Sequence, residues 1–142
     1  MMSKRQTQQL LAVFDVVNRA HDHPSVEQIH QRVRERMPRV SLGTVYRNLQ
    51  KLASERRVSL VQIRNRPARY DAVVDAHDHF VCEHCHVVLD LAPSKARLDL
   101  QQLEHQGFAV RSHALTFYGQ CPNCRGGRKG RQRNSQMTTA PA

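Results

Sequence analysis

Two Cys-x-x-Cys pairs constrain this 142-residue chain more than any other feature of its sequence. The first pair is Cys82 and Cys85, the second is Cys121 and Cys124, and 35 residues separate them. This pattern is typical of one zinc ion held by thiolates. The alternative is two disulfides, which require an oxidising compartment. A zinc site suits a chain of this size, because small units with thin cores commonly need a metal or a partner subunit.

The N-terminal sequence gives no sign of export, so it favours the zinc interpretation. Residues 1–9 are polar, and the longest purely apolar run covers residues 10–14. Such a run is too short for the core of a signal peptide or for a membrane span. We therefore expect a cytoplasmic protein with reduced cysteines and no membrane partner.

The net charge of +10 is divided unevenly along the chain. Residues 1–66 carry 13 Lys and Arg against 5 Asp and Glu, residues 67–124 carry 4 against 7, and residues 125–142 carry 5 against none. A basic first half beside an acidic, histidine-rich second half indicates that the first half meets a polyanion and the second binds cations.

The first half of the chain is predicted to form three helices followed by a β-hairpin. This order is typical of a winged helix-turn-helix, in which the third helix enters the major groove of DNA and the hairpin, or wing, lies near the phosphates. Helical spacing of apolar residues and serine caps support the helices. The predicted elements are a helix over 4–20, a helix begun by Ser25 and ended before Pro38, a helix after Ser41, and strands over 58–63 and 68–73.

The second half is predicted to form a small α+β unit stapled by zinc. Its predicted elements are strands over 79–82 and 87–91, a helix opened by Pro93 and ended by Gly107, and a long strand over 108–118. The fold class is therefore α+β, with a winged helix in residues 1–74 and a metal-binding unit in residues 75–124. Residues 125–142 have little to bury and are expected to form a disordered basic tail.

His77 and His79 indicate a second metal site of different character. Side chains alternate across a strand, so the two imidazoles project from the same side if this segment is extended. With carboxylates nearby, such a pair can hold a divalent metal.

Three motifs give the chain its resemblance to a known family. They are Ser-Leu-Gly-Thr-Val-Tyr-Arg-Asn-Leu at 41–49, Ala-His-Asp-His-Phe-Val-Cys-Glu-His-Cys at 76–85 and Tyr-Gly-Gln-Cys-Pro-Asn-Cys at 118–124. With these, residues 5–124 resemble the ferric uptake regulator family of bacterial metal-dependent repressors. The resemblance implies a homodimer with a C-terminal dimerisation domain, bound to double-stranded DNA at a palindromic AT-rich operator.

The resemblance also implies two metal sites in each protomer. A structural zinc would bind the four cysteines, and a regulatory Fe(II) or Mn(II) would bind between the two halves, where zinc can also enter. The implied ligands of the regulatory metal are His23, Asp71, His77, His79 and Asp90. The alternatives are surface carboxylates for the two aspartates and a helix-terminus role for His23.

Asp90 bears on which signal such a repressor senses. Iron-sensing members commonly carry glutamate at this position, and an aspartate here, together with Asp71, is more similar to the peroxide-sensing, PerR-like branch. In that branch bound Fe(II) reacts with hydrogen peroxide and a ligand histidine is oxidised, which places His23 and His77 at risk. The alternative is an iron-, manganese- or zinc-responsive repressor of metal uptake without peroxide sensing.

The candidate DNA contacts lie on the third helix and the wing. By resemblance, Tyr46 and Arg47 read bases, whereas Thr44 and Lys51 contact phosphates. Arg64 and Arg66 at the predicted wing tip suit phosphate binding. The alternatives are a solvated surface for the arginines and packing against the wing for Tyr46.

Two further classes of protein remain as alternatives. A metal-dependent hydrolase would use the histidine and carboxylate site to activate water. Five protein ligands leave little room for a substrate, and the sequence offers no separate nucleophile or phosphate loop, so we expect no enzyme. A zinc-ribbon RNA-binding protein would use the basic tail.

Overall fold

The computed structural model describes residues 3–93 and 100–126, which contain three N-terminal helices, a hairpin, and a second sheet with short helices. The helices are α1 (Lys4–Asn18), α2 (Val26–Arg34), α3 (Leu42–Ser54), α4 (Leu100–His105) and α5 (Pro122–Arg125). The strands are β1 (Ser59–Val61), β2 (Arg69–Asp71), β3 (Asp78–Cys82), β4 (Val88–Leu91) and β5 (Thr116–Gly119). None of the helices in these ranges is long and apolar enough to cross a membrane.

Serine begins each of the three N-terminal helices. The side chains of Ser3, Ser25 and Ser41 each accept a hydrogen bond from a backbone N–H in the first turn. At Ser25 the side chain of Gln28 also returns to the cap backbone, which completes the predicted capping box. Caps of this kind each stabilise a helix by about 1 kcal/mol.

The helices enclose the larger of two apolar cores. As predicted, α1, α2 and α3 each bury one apolar stripe, and valine and tyrosine from the loops and hairpin complete the cluster. Its buried members are Leu10, Val13, Val17, Ile29, Val33, Val40, Val45, Leu49, Leu52, Val58 and Tyr70. The apolar spacing of α3 would also place Leu42 on the inward face, but this side chain is 42% exposed, because it is the first residue of the helix and lies beyond the packed turns.

The hairpin pairs β1 with β2 in antiparallel register, so that Ser59 lies opposite Asp71. The paired segments are shorter than the predicted strands at 58–63 and 68–73. Pro67, which has no N–H to donate, lies in the connection. The three helices and this hairpin form the predicted winged helix, and the whole chain has the predicted α+β class.

The second sheet has the strand order β4-β3-β5. β3 pairs with β4 antiparallel, with His79 opposite Asp90, and with β5 parallel, with His79 opposite Thr116. The prediction of one strand over 108–118 was wrong, because only Thr116–Gly119 is a strand. β3 begins at Asp78, so the residues before Leu115 have no strand beside which to form a ladder.

Two other expectations fall partly outside the described residues. The first turns of the helix predicted from Pro93 fall at 94–99, outside the described residues. The end of this helix is α4, and Gly107 after it has a positive φ of 89°. Of the predicted tail at 125–142, only Arg125 and Gly126 are described. Arg125 closes α5, a short helix that the sequence analysis did not predict.

A second, smaller core joins the wing to the second sheet. Val61 and Ile63 from the hairpin segment pack with Val81 and Val88, and Tyr118 is partly buried against them. This contact fixes the hairpin against the sheet that carries the cysteines. The two predicted domains, which meet at residue 74, therefore share apolar contacts. The position of the domain boundary stays a prediction.

Candidate metal centres and nucleic-acid interface

The four cysteines come together at one end of the second sheet. Cys82 ends β3, Cys85 lies in the following turn, Cys121 is the N-cap of α5, and Cys124 lies within α5. All four are free thiols, with Sγ atoms 3.7 Å apart between Cys82 and Cys124 and 3.8 Å apart between Cys85 and Cys121. A tetrahedron of sulfurs about 2.3 Å from a zinc ion has edges of about 3.8 Å. The geometry therefore fits zinc and not a pair of disulfides.

The backbone around the cysteines favours a thiolate at one of them. The N–H groups of Cys85 and Cys121 donate to Cys82 Sγ at 3.5 and 3.4 Å. Although burial opposes the charge, these bonds lower the pKa of Cys82 to about 6. Burial and the neighbouring sulfurs raise the pKa of Cys124 to about 12, because four thiolates without a cation repel one another. A zinc ion supplies the missing positive charge.

Three histidines and two aspartates meet between the helical half and the second sheet. His23 comes from the loop between α1 and α2, Asp71 from the end of β2, His77 from just before β3, His79 from β3 and Asp90 from β4. The structure thus brings together all five residues predicted to bind the regulatory metal. Their assignment as ligands stays a prediction.

Both carboxylates face all three imidazoles through the Nε2 atoms. Asp71 Oδ2 lies 3.0 Å from His77 Nε2, 3.6 Å from His23 Nε2 and 3.9 Å from His79 Nε2. Asp90 Oδ1 lies 2.7 Å from His23 Nε2, 3.3 Å from His77 Nε2 and 3.5 Å from His79 Nε2. Donor atoms of His23, Asp71, His79 and Asp90 all lie within 4.8 Å of one another. These four side chains can therefore reach one cation, and His77 Nε2 lies beside them through its contacts with the two carboxylates.

Local structure explains how these side chains are aimed. His79 and Asp90 are direct cross-strand partners in the β3–β4 ladder, which places their side chains on the same face. The Nδ1 of His77 lies 2.7 Å from the carbonyl oxygen of Asp75, to which its N–H donates a hydrogen bond. That bond leaves the lone pair of His77 Nε2 for a metal.

One buried atom supports a cation at this place. His79 Nε2 is buried and has no hydrogen-bond partner among the residues that the structure describes. Buried polar atoms are normally satisfied, so an unsatisfied lone pair among carboxylates fits a metal ligand. Imidazole and carboxylate donors together suit Fe(II), Mn(II) and Zn(II).

In the absence of a cation, protons balance the charges. Burial opposes an imidazolium at His23, but Asp71 and Asp90 outweigh it and raise the pKa of His23 to about 9. Burial also opposes ionisation of Asp71, yet the nearby imidazoles of His23 and His79 and a hydrogen bond from the Val73 N–H hold the pKa of Asp71 well below its usual range. The pKa of Asp90 is likewise lowered, chiefly by His23 acting against burial.

The residues predicted to contact DNA on α3 lie on or near its exposed side. Tyr46 is 47% exposed, which does not support the alternative of packing against the wing, and Arg47 is also exposed. Thr44 is half-buried and bonds with Ser41 at the start of the helix, whereas Lys51 pairs with Glu55 at 3.1 Å. A polar groove between α1 and α3 is lined by Gln6, Gln9, Thr44, Arg47, Asn48 and Lys51. Their contacts with DNA remain predictions.

The two predicted wing-tip contacts, Arg64 and Arg66, touch the second sheet unit. The backbone N–H of Arg64 donates to the Tyr118 hydroxyl at 2.9 Å, and its guanidinium lies 4.6 Å from the centre of the Tyr118 ring. Arg66 Nη2 lies 3.0 Å from His86 Nε2. Sequence reasoning missed Tyr118 as a wing contact, because only pairing across 54 residues brings it near the hairpin.

The sequence is similar to those of known transcriptional regulators. A model of the ferric uptake regulator family matches residues 2–118. The chain is 34% identical to the transcriptional regulator FurA of Mycobacterium tuberculosis over 122 residues, covering 84% of this chain and 82% of that protein. It is 28% identical to the peroxide operon regulator of Bacillus subtilis over 121 residues, covering 84% and 83%.

A solved structure gives the same picture. The fold matches the Campylobacter jejuni peroxide stress regulator with a TM-score of 0.69 at 30% identity, covering 84% of this chain and 91% of that one. These relatives are named as regulators and not as enzymes. The family match over most of the chain, the winged helix and the two clusters of metal-binding side chains agree with one another. This chain therefore belongs to the ferric uptake regulator family and is a metal-dependent, DNA-binding transcriptional regulator.

Proposed function

We propose that this protein is a repressor that binds its operator only with Fe(II) or Mn(II) bound. Reaction of the iron form with peroxide would release it from the DNA. The five side chains His23, Asp71, His77, His79 and Asp90 would hold this regulatory metal. The observation that carries the proposal is their convergence on two carboxylates from both halves of the chain.

The origin of the ligands explains how a metal could control DNA binding. His23 and Asp71 belong to the winged-helix half, whereas His77, His79 and Asp90 belong to the half with the second sheet. A conformation that brings both groups together binds the cation better than one that separates them. The cation therefore shifts the population toward that conformation, and DNA that prefers the same conformation tightens metal binding reciprocally.

Peroxide sensing is supported by the aspartate at position 90 and by relatives named for peroxide regulation. Fe(II) held by these residues would activate hydrogen peroxide: the O–O bond breaks, one oxygen replaces the hydrogen of a ring carbon, and the other leaves as water. His23 and His77 present Nε2 atoms to both carboxylates, and a ring that had gained oxygen would lose its fit to them. The winged helix then loses its link to the second sheet.

The cysteines would hold a structural zinc, one in each protomer of a homodimer. Four thiolates leave no open position for catalysis, and such a site contributes directly to folding. The apolar core at the second sheet contains few residues, which supports the need for a stabilising metal. We place the protein in the cytoplasm, where thiols remain reduced.

DNA recognition would centre on α3. Tyr46 and Arg47 are exposed and suited to read thymine methyl groups and guanine edges, with Thr44 and Lys51 on phosphates. A homodimer would present two such helices to a palindromic AT-rich operator. Arg64 and Arg66 would join the phosphate contacts only where the wing leaves Tyr118 and His86.

A second candidate is a repressor of metal uptake that responds to iron, manganese or zinc and ignores peroxide. Its support is the donor set, which suits all three metals, and the relation to FurA. Asp90 separates the two candidates by experiment, because Asp90→Glu restores the residue common in iron-sensing members.

The test measures operator binding by zinc-loaded protein charged with Fe(II) or Mn(II), with and without hydrogen peroxide. The operator is a duplex selected from a randomised pool by the Mn(II) form. We expect peroxide to abolish binding of the iron form alone, with one oxygen added to a peptide that carries His23 or His77 by mass spectrometry. Asp90→Glu is the matched variant and is expected to resist peroxide. If peroxide left operator binding by the iron form unchanged, the result would contradict peroxide sensing and favour the second candidate function.

A further inference from the structure

His23 is the predicted ligand that lies in a loop between two helices. Its φ is 47°, which lies in the left-handed region that residues with side chains rarely adopt. A backbone of this kind persists only where its surroundings hold it. The loop between α1 and α2 therefore needs a fixed support if its imidazole is to meet Asp71 and Asp90.

The ring of His23 lacks the support that metal-binding histidines usually have. A ligand histidine normally donates its second ring N–H to a carbonyl or carboxylate, which sets its orientation. His77 does so through Asp75. By contrast, His23 Nδ1 is buried without a hydrogen-bond partner in the described ranges 3–93 and 100–126. The position of His23 must therefore be set through its backbone.

Arg69 supplies that backbone contact. Its Nη1 donates to the carbonyl oxygen of His23 at 3.2 Å and lies 3.3 Å from Gln28 Oε1. The same Gln28 oxygen accepts from the Ser25 N–H at 2.9 Å, within the cap of α2. Next along β2, the Tyr70 N–H donates to the carbonyl oxygen of Pro24 at 3.0 Å. The loop is thus fastened to β2 on both sides of the His23–Pro24 bond.

The spacing on β2 gives this contact a role in the metal centre. Arg69 and Asp71 are two residues apart, so their side chains leave the strand on the same face. Asp71 faces the imidazole of His23 while Arg69 bonds its carbonyl oxygen. One short strand thereby fixes the distance between two predicted ligands.

We propose that Arg69 is a positioning residue of the regulatory metal centre, which holds His23 in its left-handed conformation and so presets the His23–Asp71 pair for the cation. This inference rests on the proposed function, because it takes His23 as a ligand. Arg69 contacts the carbonyl oxygen of His23 and acts on the metal only through it. Loss of Arg69 frees the loop to relax toward ordinary φ values.

Arg69 could instead act through its positive charge. The two explanations predict opposite changes in metal affinity when Arg69 is replaced. If the guanidinium acted chiefly as a charge, it would repel a divalent cation, and its removal would tighten metal binding. If it acts by position, removal weakens binding. Arg69→Met, which keeps the length of the side chain but removes the charge and the donors, distinguishes them.

The experiment titrates Mn(II) into full-length, zinc-loaded protein by calorimetry. We expect Arg69→Met to weaken Mn(II) binding by about tenfold or more, the usual loss when a group that orients a ligand is removed. Arg34→Met is the matched control, because it removes the same charge from the exposed end of α2, and it is expected to leave the affinity unchanged. Arg69→Gln, a milder change that also removes the charge, gives the same comparison if the methionine variant is unstable. Unchanged or tighter binding in the Arg69 variants would overturn the inference.

A His23→Ala background separates positioning from a general loss of structure. In that background Arg69→Met is expected to cause no further loss of Mn(II) affinity, because the residue it positions is gone. A further tenfold loss would show that Arg69 acts elsewhere, and the inference would fall. Loss of affinity in His23→Ala but not in Arg69→Met would overturn the inference and leave the proposed site intact. No loss in His23→Ala would overturn both.

Discussion

At the scale of single residues, the metal centre is built by controlling which nitrogen of each imidazole faces the carboxylates. The Nδ1–H of His77 donates a hydrogen bond to the Asp75 carbonyl oxygen, and the Nε2 of His79 is buried without a partner among the described residues. His23 presents Nε2 to both aspartates. In the metal-free chain a proton on His23 takes part of the cation's place.

That proton predicts how metal binding depends on pH. The pKa of His23 is raised above the usual 6.5 to about 9, so its charged form stabilises the metal-free fold fully below pH 6.5, and this contribution is lost as the pH rises through about 9. A metal must displace the same proton. We therefore expect Mn(II) affinity to rise roughly tenfold per pH unit from this group between pH 7 and 8.5. Calorimetric titrations in two buffers of different ionisation enthalpy measure both affinity and released protons.

His23→Ala is the control for this pH dependence. It is expected to bind more weakly and to release about one proton fewer on binding. An unchanged proton count in the alanine variant would contradict the assignment of the displaced proton to His23.

The sequence predicted some of these residues better than others. His77 and His79 stand two apart at the start of a predicted strand, so local spacing suffices to pair them if the segment is extended. His23 and Asp71 were found only through the family resemblance, since 47 residues separate them along the chain. Nothing in the sequence indicated the role of Arg69, because it contacts a backbone carbonyl oxygen that any residue at position 23 would provide.

At the scale of elements, the hairpin is shared between two surfaces. Its inner residues Val61 and Ile63 pack on the second sheet, and Arg64 at its tip bonds the Tyr118 hydroxyl. The predicted role of the wing is to lie near DNA phosphates. Its tip must therefore exchange a protein contact for a DNA contact or remain docked while α3 binds.

Tyr118→Phe tests how firmly the tip is docked. The change removes the hydroxyl that accepts the Arg64 N–H but keeps the ring under the guanidinium. A hydrogen bond of this kind contributes about 1 kcal/mol, so we expect the Arg64 amide to exchange with solvent roughly fivefold faster. Amide hydrogen exchange followed by NMR measures this, with the Ile29 amide in α2 as the internal control. Equal exchange rates at Arg64 in both proteins would mean that the hydroxyl does not hold the tip.

Elements with local signals were predicted well, and those that depend on distant pairing were not. Ser25 and Ser41 begin helices where the sequence indicated, because a cap and its first turn are neighbours in the chain. The strand predicted over 108–118 shrinks to four residues, because its length is set by how much of β3 is available beside it. Alternating side chains alone could not reveal that limit.

At the scale of the whole molecule, two halves of unequal charge are joined by an apolar contact and by five converging side chains. The apolar contact involves few residues, so it leaves the relative orientation open to control by a ligand. Orientation matters for DNA, because a dimer must place two recognition helices at a fixed separation. In the proposed function, a cation held by both halves would set that geometry.

Removal of the regulatory metal tests this view directly. Protein that keeps its zinc but is treated with a mild chelator is expected to bind the selected operator at least tenfold more weakly than the Mn(II) form, within the usual range of coupling energies. Fluorescence anisotropy at one fixed salt concentration measures this, since phosphate contacts make affinity strongly salt-dependent. Asp71→Asn is the matched variant and is expected to bind weakly with or without Mn(II). Equal operator affinity of the chelated and loaded proteins would remove the proposed switch and leave the fold unaffected.

The uneven exposure of the five side chains sets what can enter the regulatory centre. Asp90 is 46% exposed, whereas the other four side chains are between 5% and 13% exposed. The entrance is thus at the β4 edge and is bordered by a negative charge. If these side chains hold the regulatory metal, uncharged oxidants would reach it more readily than anionic ones, which the carboxylate of Asp90 would repel. The proposed centre would then select oxidants by charge before any of them reached an imidazole.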